Sequence, residues 1–234
     1  MRIWLPSLCP IALVFAALLG GAMSLVEEAS AAEKATAAKL ETAAPAEGWV
    51  SLFNGRDLTG WKVNENSACW KVADGKLIAN GERSHLFYVG DVNGGKFKNF
   101  EWKCEILTKP NSNSGMYFHT KYQDEGWPSQ GYEVQVNNTH HDRRKTGGLY
   151  AVADVMDKSP AQDGQWFTQH VIVRDKRIII KVNGKITADY IEPENPSREE
   201  SMKDRLLSEG TFALQGHDPG SEVHYRKVMV KSLP

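Results

Sequence analysis

The chain is poor in cysteine, with three in 234 residues, and it has no surplus of either charge, with 28 Lys and Arg against 29 Asp and Glu. After residue 47 only Cys69 and Cys104 remain, too few for a disulfide framework, so the choice is one bridge or two buried thiols. Residues 48–234 carry 25 cationic and 24 acidic side chains, a balance that gives no electrostatic reason to expect nucleic acid or an anionic membrane surface as partner. Long apolar runs are missing beyond the amino terminus, since no later stretch approaches the about eighteen consecutive apolar residues of a membrane span. Also missing are a Gly-x-Ser-x-Gly elbow, a phosphate loop, a His-Glu-x-x-His helix and a dinucleotide fingerprint, which removes the common hydrolase, kinase, metalloprotease and dehydrogenase signatures. No strand offers Glu-x-Asp-x-x-Glu. A retaining glycosidase needs two carboxyl groups about 5 Å apart, and Glu133 is followed by Gln135 where the second acid would stand.

What is present divides the chain in three. Residues 1–31, with Arg2 ahead of the apolar run Ile11 to Leu19 and small residues after it, read as a secretory signal cleaved after Ala31 or Ala22. Export to the periplasm or the extracellular space follows, with no membrane attachment after cleavage. Residues 32–47 are Ala-rich and have no aromatic residue or apolar stripe to bury, and they read as a linker. Residues 48–234 hold all seven histidines, with short alternating runs punctuated by Asn54-Gly55, Asp74-Gly75, Asn80-Gly81, Gly94-Gly95, Asp163-Gly164 and Asn183-Gly184. Such spacing predicts many antiparallel strands joined by hairpins, hence an all-β jelly-roll sandwich. One short helix is expected after Ser197, with Ser197 and Glu200 as a capping box and Gly210 as its stop.

Period-two alternation then selects a face. Tyr117 and His119 oppose Met116 and Phe118; Glu133 and Gln135 oppose Tyr132, Val134 and Val136; Gln215 and His217 oppose Phe212 and Leu214. Arg226 lies across from Val223 and Tyr225, and the parity break at Val228 and Val230 predicts a β-bulge near Arg226 or Lys227. If these strands share a sheet, Tyr117, His119, Glu133, Gln135, Gln215, His217 and Arg226 form one polar surface suited to a polyhydroxylated ligand. The surface lacks lysine and serine, which ordinary wet sheet faces use freely. His140-His141-Asp142 reads as plain loop, Asn137-Asn138-Thr139 as a formal glycosylation triplet, and His85, His170 and His224 as structural.

The ordered motifs Gly48-Trp-Val-Ser-Leu-Phe-Asn-Gly-Arg-Asp-Leu-Thr-Gly-Trp61, Asn113-Ser-Gly-Met-Tyr117, Gly131-Tyr-Glu-Val-Gln135, Thr146-Gly-Gly-Leu-Tyr150 and Leu214-Gln-Gly-His217, followed by Tyr225-Arg226, resemble the DUF1080 family. This family comprises 3-keto-disaccharide hydrolases, that is, 3-keto-glucoside-1,2-lyase and 3-keto-2-hydroxyglucal hydratase domains. The resemblance implies a concanavalin-like fold and a 3-keto-glucoside or related sugar as substrate. The C3 ketone acidifies the C2 proton, so the glycosidic bond breaks by elimination and a second carboxylate is unnecessary. Glu133, His119 and His217 are the titratable candidates for acid and base, with Asn113, Tyr117, Gln135, Tyr150, Gln215 and Arg226 as substrate-binding groups. No cofactor is firmly implied, and a divalent ion on His119, Glu133 or His217 is left open. A lectin-like carbohydrate-binding module is the alternative reading, since sandwich folds host both.

Overall fold

The computed structural model describes residues 47–234, so the expected signal and most of the expected linker lie outside the described residues. Fifteen strands follow in order: β1 (Val50–Ser51), β2 (Trp61–Val63), β3 (Trp70–Ala73), β4 (Lys76–Asn80), β5 (Ser84–Tyr88), β6 (Phe100–Thr108), β7 (Asn113–Thr120), β8 (Tyr132–Asn137), β9 (Arg144–Leu149), β10 (Ala153–Met156), β11 (Phe167–Arg174), β12 (Arg177–Val182), β13 (Lys185–Ile191), β14 (Thr211–Gly216) and β15 (Glu222–Ser232). They form two antiparallel sheets. The eight-stranded sheet runs β13-β12-β11-β6-β15-β4-β3 with β1 paired to β15, and the seven-stranded sheet runs β10-β9-β8-β7-β14-β5-β2.

The sheets face each other through the alternating apolar residues. Along β6 every second residue from Phe100 to Thr108 is buried. Trp102 stacks on Phe212 of the other sheet at 4.3 Å between ring centres, and Phe100 meets the same ring edge-on at 4.9 Å. One continuous apolar core results, to which β7, β8 and β14 contribute Met116, Phe118, Tyr132, Val134, Val136, Phe212 and Leu214. The all-β sandwich expected from the alternation is therefore what the chain adopts. Two of the six turn pairs, Asp74-Gly75 and Asn183-Gly184, close two-residue hairpins in which both residues have positive φ, as the strand twist requires. Asn80-Gly81 instead carries the chain from β4 in one sheet to β5 in the other.

The expected helix is not formed. Residues Glu200–Met202 make a single 3-10 turn without a side-chain cap, and among the described residues there is no α-helix. No helix among them is long and apolar enough to cross a membrane. Residues 192–210 instead form a strap fastened by side chains. Arg198 donates to the Arg205 carbonyl at 3.0 Å and to the hydroxyls of Tyr132 and Tyr190 at 2.7 and 2.9 Å. The Glu192 carboxylate accepts from the Leu207 amide at 2.9 Å, and the Asp204 carbonyl accepts from the Gly131 amide at 3.1 Å. These bonds stand in for the ladder that a helix would have made.

Cys69 and Cys104 are buried free thiols, so no disulfide joins them. Burial pushes the Cys69 thiol up to about 11 and moves Cys104 upward as well, keeping both protonated.

Candidate functional site

The outer face of the seven-stranded sheet carries two cross-strand rows. Tyr117 stands opposite Glu133 on one side and Ala213 on the other, with Phe87 beyond. In the next row Gly115 stands opposite Gln135, and Gln215 opposite His85. Gly115 leaves a gap into which the Glu133 side chain folds, since a Cβ there would lie 2.6 Å from Glu133 Oε1. Gly216 is explained the same way, because a Cβ on it would run into the Cys69 sulfur, and this close approach delivers His217 to the end of β14.

Loops and the strap roof this face into a cavity of about 470 Å³. Seven residues singled out in the sequence line it: Asn113, Tyr117, Glu133, Gln135, Tyr150, Gln215 and His217. Two do not. His119 is skipped in the pairing, because Thr211 meets Thr120 and Phe212 meets Phe118, and it takes a positive φ of 55°. This bulge turns its ring away from the polar face onto Phe100 and Phe118. There its Nδ1 accepts from the Ser208 amide at 3.1 Å, which leaves Nε2 to donate to the Lys98 carbonyl at 2.9 Å. Burial lowers this imidazole to about 4, so it is a neutral anchor for the strap and not a base facing substrate. Arg226 belongs to the other sheet. The expected bulge is present, with Lys227 at φ 49° and the register shifting between Arg226 and Met229, but it aims Arg226 at Glu105 (2.7 Å) and over the Trp166 ring (4.1 Å).

Other lining residues carry no sequence signal of their own. Arg205 arrives from the strap, and Trp127, Pro128 and Ser129 come from the β7–β8 loop. Asp142 comes from the β8–β9 loop read above as plain, and that loop also sets the His140 ring 5.6 Å from His217. The Asn137 amide is fully buried and donates to the carbonyls of Asp142 and Arg144, which closes the glycosylation triplet to a glycan. His85 is also fully buried, wedged between Tyr117 and Trp127 with neither ring nitrogen paired, and burial lowers it to about 3.

The electrostatics centre on Glu133, which is 5% exposed. Burial raises its pKa, against the opposing pull of the Arg205 guanidinium and Tyr117. Arg205 donates to Glu133 Oε2 at 3.1 Å, and Gln215 donates to the Tyr117 hydroxyl at 2.8 Å and reaches Glu133 Oε1 at 3.4 Å. Burial and the Glu133 charge raise Tyr117, so its phenol stays protonated. At the cavity's other end His217 Nδ1 lies 2.7 Å from Asp218, whose carboxylate also accepts from Ser221 at 2.8 Å. Asp218 thereby fixes the ring so that Nε2 is the nitrogen left for a ligand. Asp218 itself stays below the usual carboxylate range, because the bonds from His217, Ser221 and the Gly220 amide outweigh its burial.

Several lining groups are buried without a partner: both amide atoms of Gln135, Gln215 Oε1, Asn113 Oδ1 and Arg205 Nη1. Buried polar atoms are normally paired, and a cluster of unpaired ones around one cavity suits it to a polar ligand. Among the described residues no three His, Cys, Asp or Glu side chains are grouped to hold a metal ion.

Fold and site together define a β-sandwich with a polar, roofed cavity on one sheet. The chain belongs to the 3-keto-alpha-glucoside-1,2-lyase-like domain family, which it matches over residues 48–231. It is similar to the crystal structure of a putative glycosyl hydrolase from Parabacteroides distasonis ATCC 8503, at 25% identity and TM-score 0.68, covering 80% of this chain and 95% of that one. The carbohydrate binding module CBM66 from Bacillus subtilis shares the fold at 15% identity and TM-score 0.54, over 74% of this chain and 96% of that one. A Bacillus subtilis protein with a galectin-like fold does so at 10% identity and TM-score 0.53, over 79% and 94%. No curated protein matches the chain.

Proposed function

We propose that this protein is an exported enzyme that cleaves 3-keto-glucosides by elimination across C1 and C2, and that the same cavity hydrates the product. The observation that carries this reading is the carboxylate of Glu133, buried with a raised pKa beside Tyr117, Arg205 and Gln215. A carboxylate so placed is a stronger base than one in water, and proton abstraction beside a carbonyl requires such a base. It takes the C2 proton; the freed electron pair forms the C1–C2 double bond as the C1–O bond breaks. The departing oxygen receives a proton from His217 Nε2 in its imidazolium form, held by Asp218. Arg205 Nη1 and the unpaired Nε2 of Gln135 donate to the C3 oxygen and stabilise the negative charge that builds on it. Hydration reverses the polarity: water adds at C1 of the enone, C2 is reprotonated, and the sum is hydrolysis to 3-keto-glucose.

The near-neutral charge of residues 48–234 suits a neutral sugar. Incubating the purified full chain with a 3-keto-glucoside and following enone absorbance tests the reading. Appearance and decay of the enone, with loss of the first phase in Glu133→Gln, is the expected result. Saturable sugar binding with no turnover would transfer the cavity to the lectin class. Amino-terminal sequencing of protein recovered from the medium or periplasm tests export, with a new terminus after Ala22 or Ala31 expected.

A further inference from the structure

Trp127 is 44% exposed, among the few large apolar side chains on the surface. Single exposed aromatics need no explanation in general. This one is different because its loop is rigidly built and it lines the cavity. Gln123 clamps the loop, donating to the carbonyls of Glu125 (2.7 Å) and Trp127 (2.9 Å) and accepting from the Ser129 amide (3.0 Å). The Gly126 amide donates to Glu65 Oε1 at 3.1 Å, and Glu65 is fixed in turn by a two-pronged bond from Arg83 at 2.9 and 3.2 Å. The indole is propped by the rings of His85 and His217, 5.5 and 5.3 Å away. An indole held half in water by this many bonds is preorganised for contact.

The cavity also has a direction. Glu133 is at its buried end, the His217 side chain is 28% exposed, and Trp127 is at the rim, touching His217. In the elimination proposed above, the base meets C2, and the acid meets the oxygen between C1 and the leaving group. The leaving group therefore emerges past His217 onto Trp127. Space permits this, since about 470 Å³ is on the order of fifteen waters by liquid volume, more than the twelve heavy atoms of one hexopyranose occupy.

We propose that Trp127 is the leaving-group subsite, a platform for a cyclic aglycone with a flat apolar face, such as a second pyranose or an aryl ring, and that it selects such aglycones over a methyl group. The C–H face of a pyranose and the π face of an aryl ring both complement an exposed indole. This inference rests on the elimination reading. The two half-reactions separate it from that reading, because the enone intermediate has already lost its aglycone.

The test compares wild type, Trp127→Ala and Trp127→Phe on three substrates: a 3-keto-glucoside with a cyclic aglycone, the methyl 3-keto-glucoside, and the isolated 3-keto-2-hydroxyglucal. For Trp127→Ala the expected result is a rise of about tenfold in KM on the cyclic substrate, equivalent to about 1.4 kcal/mol. Methyl substrate and enone hydration should change less than twofold, and Trp127→Phe should restore most of the difference. Equal losses on all three substrates, or none on the cyclic one, would overturn the platform while leaving the elimination intact. A wild-type protein inactive on all three would instead overturn the elimination reading on which the platform rests.

Discussion

The two outer faces of this sandwich are built from the same alternation and end in opposite states. On the eight-stranded sheet the charges are paired in the open: Glu105 with Arg226 and Lys227, Glu101 with His170, Glu222 with His224. On the seven-stranded sheet the strap and two loops cover the polar residues, Gln135 is only 1% exposed, and amide atoms are left without partners. The first face pairs its charges within reach of water. The second keeps them buried without protein partners, which is a stability cost of about 1–3 kcal/mol for each one left unpaired and which a ligand can recover. Polarity alone does not distinguish the two faces; the roofed cavity lined by several unpaired polar atoms does.

This contrast can be broken most sharply at the paired acids. Glu133→Gln should lower kcat for enone formation by about 10²–10⁴, the range for a general base, while Glu105→Gln should leave it unchanged. Arg205→Gln should cost roughly 10² in kcat/KM through lost charge stabilisation. It should also move the acid limb of the pH profile to higher pH, because it removes the cation that holds Glu133 down against burial. Arg198→Ala, which touches the cavity only through the Arg205 carbonyl, should shift that limb the same way by less and lower activity about tenfold. A fall in Tm with an unmoved limb would reduce Arg198 to a fastener of the strap.

His85→Leu reads the same face through stability. Its folded pKa of about 3 lies below the ordinary histidine value, so the unfolded chain takes up the proton first and wild-type stability falls as pH drops from about 6.5 towards 3. Each pH unit in that window removes up to about 1.4 kcal/mol, and the leucine variant should show that much less slope in urea melts between pH 7 and 4.5. Least of all, Arg226→Ala on the open face should cost about 0–1 kcal/mol by urea titration and nothing in turnover.

Most of the cavity floor was legible because it lies on strands, where period two places Tyr117, Glu133, Gln135 and Gln215 without any knowledge of neighbours. Alternation fails where the backbone leaves it. The bulge at His119 reverses one side chain, and its signal, a positive φ, is not written in the residue type. Arg226 was misassigned for a different reason: parity gives the face of a strand but not which sheet the strand joins. The roof was the least visible part. Arg205, Trp127, Asp142 and His140 sit on connections, and the strap in particular carries helix-forming residues but is tied down by Arg198, which donates to the Arg205 carbonyl and to the hydroxyls of Tyr132 and Tyr190.

Gly115 places Glu133 by being empty. Because the carboxylate occupies the volume where a Cβ at 115 would stand, alanine at 115 would push the Glu133 side chain out of its place beside Arg205 and Gln215. The two positions share one volume. A homologue that gains a side chain at the first should carry a shorter residue at the second, and with it a different chemistry or none, whatever the rest of its motif spells.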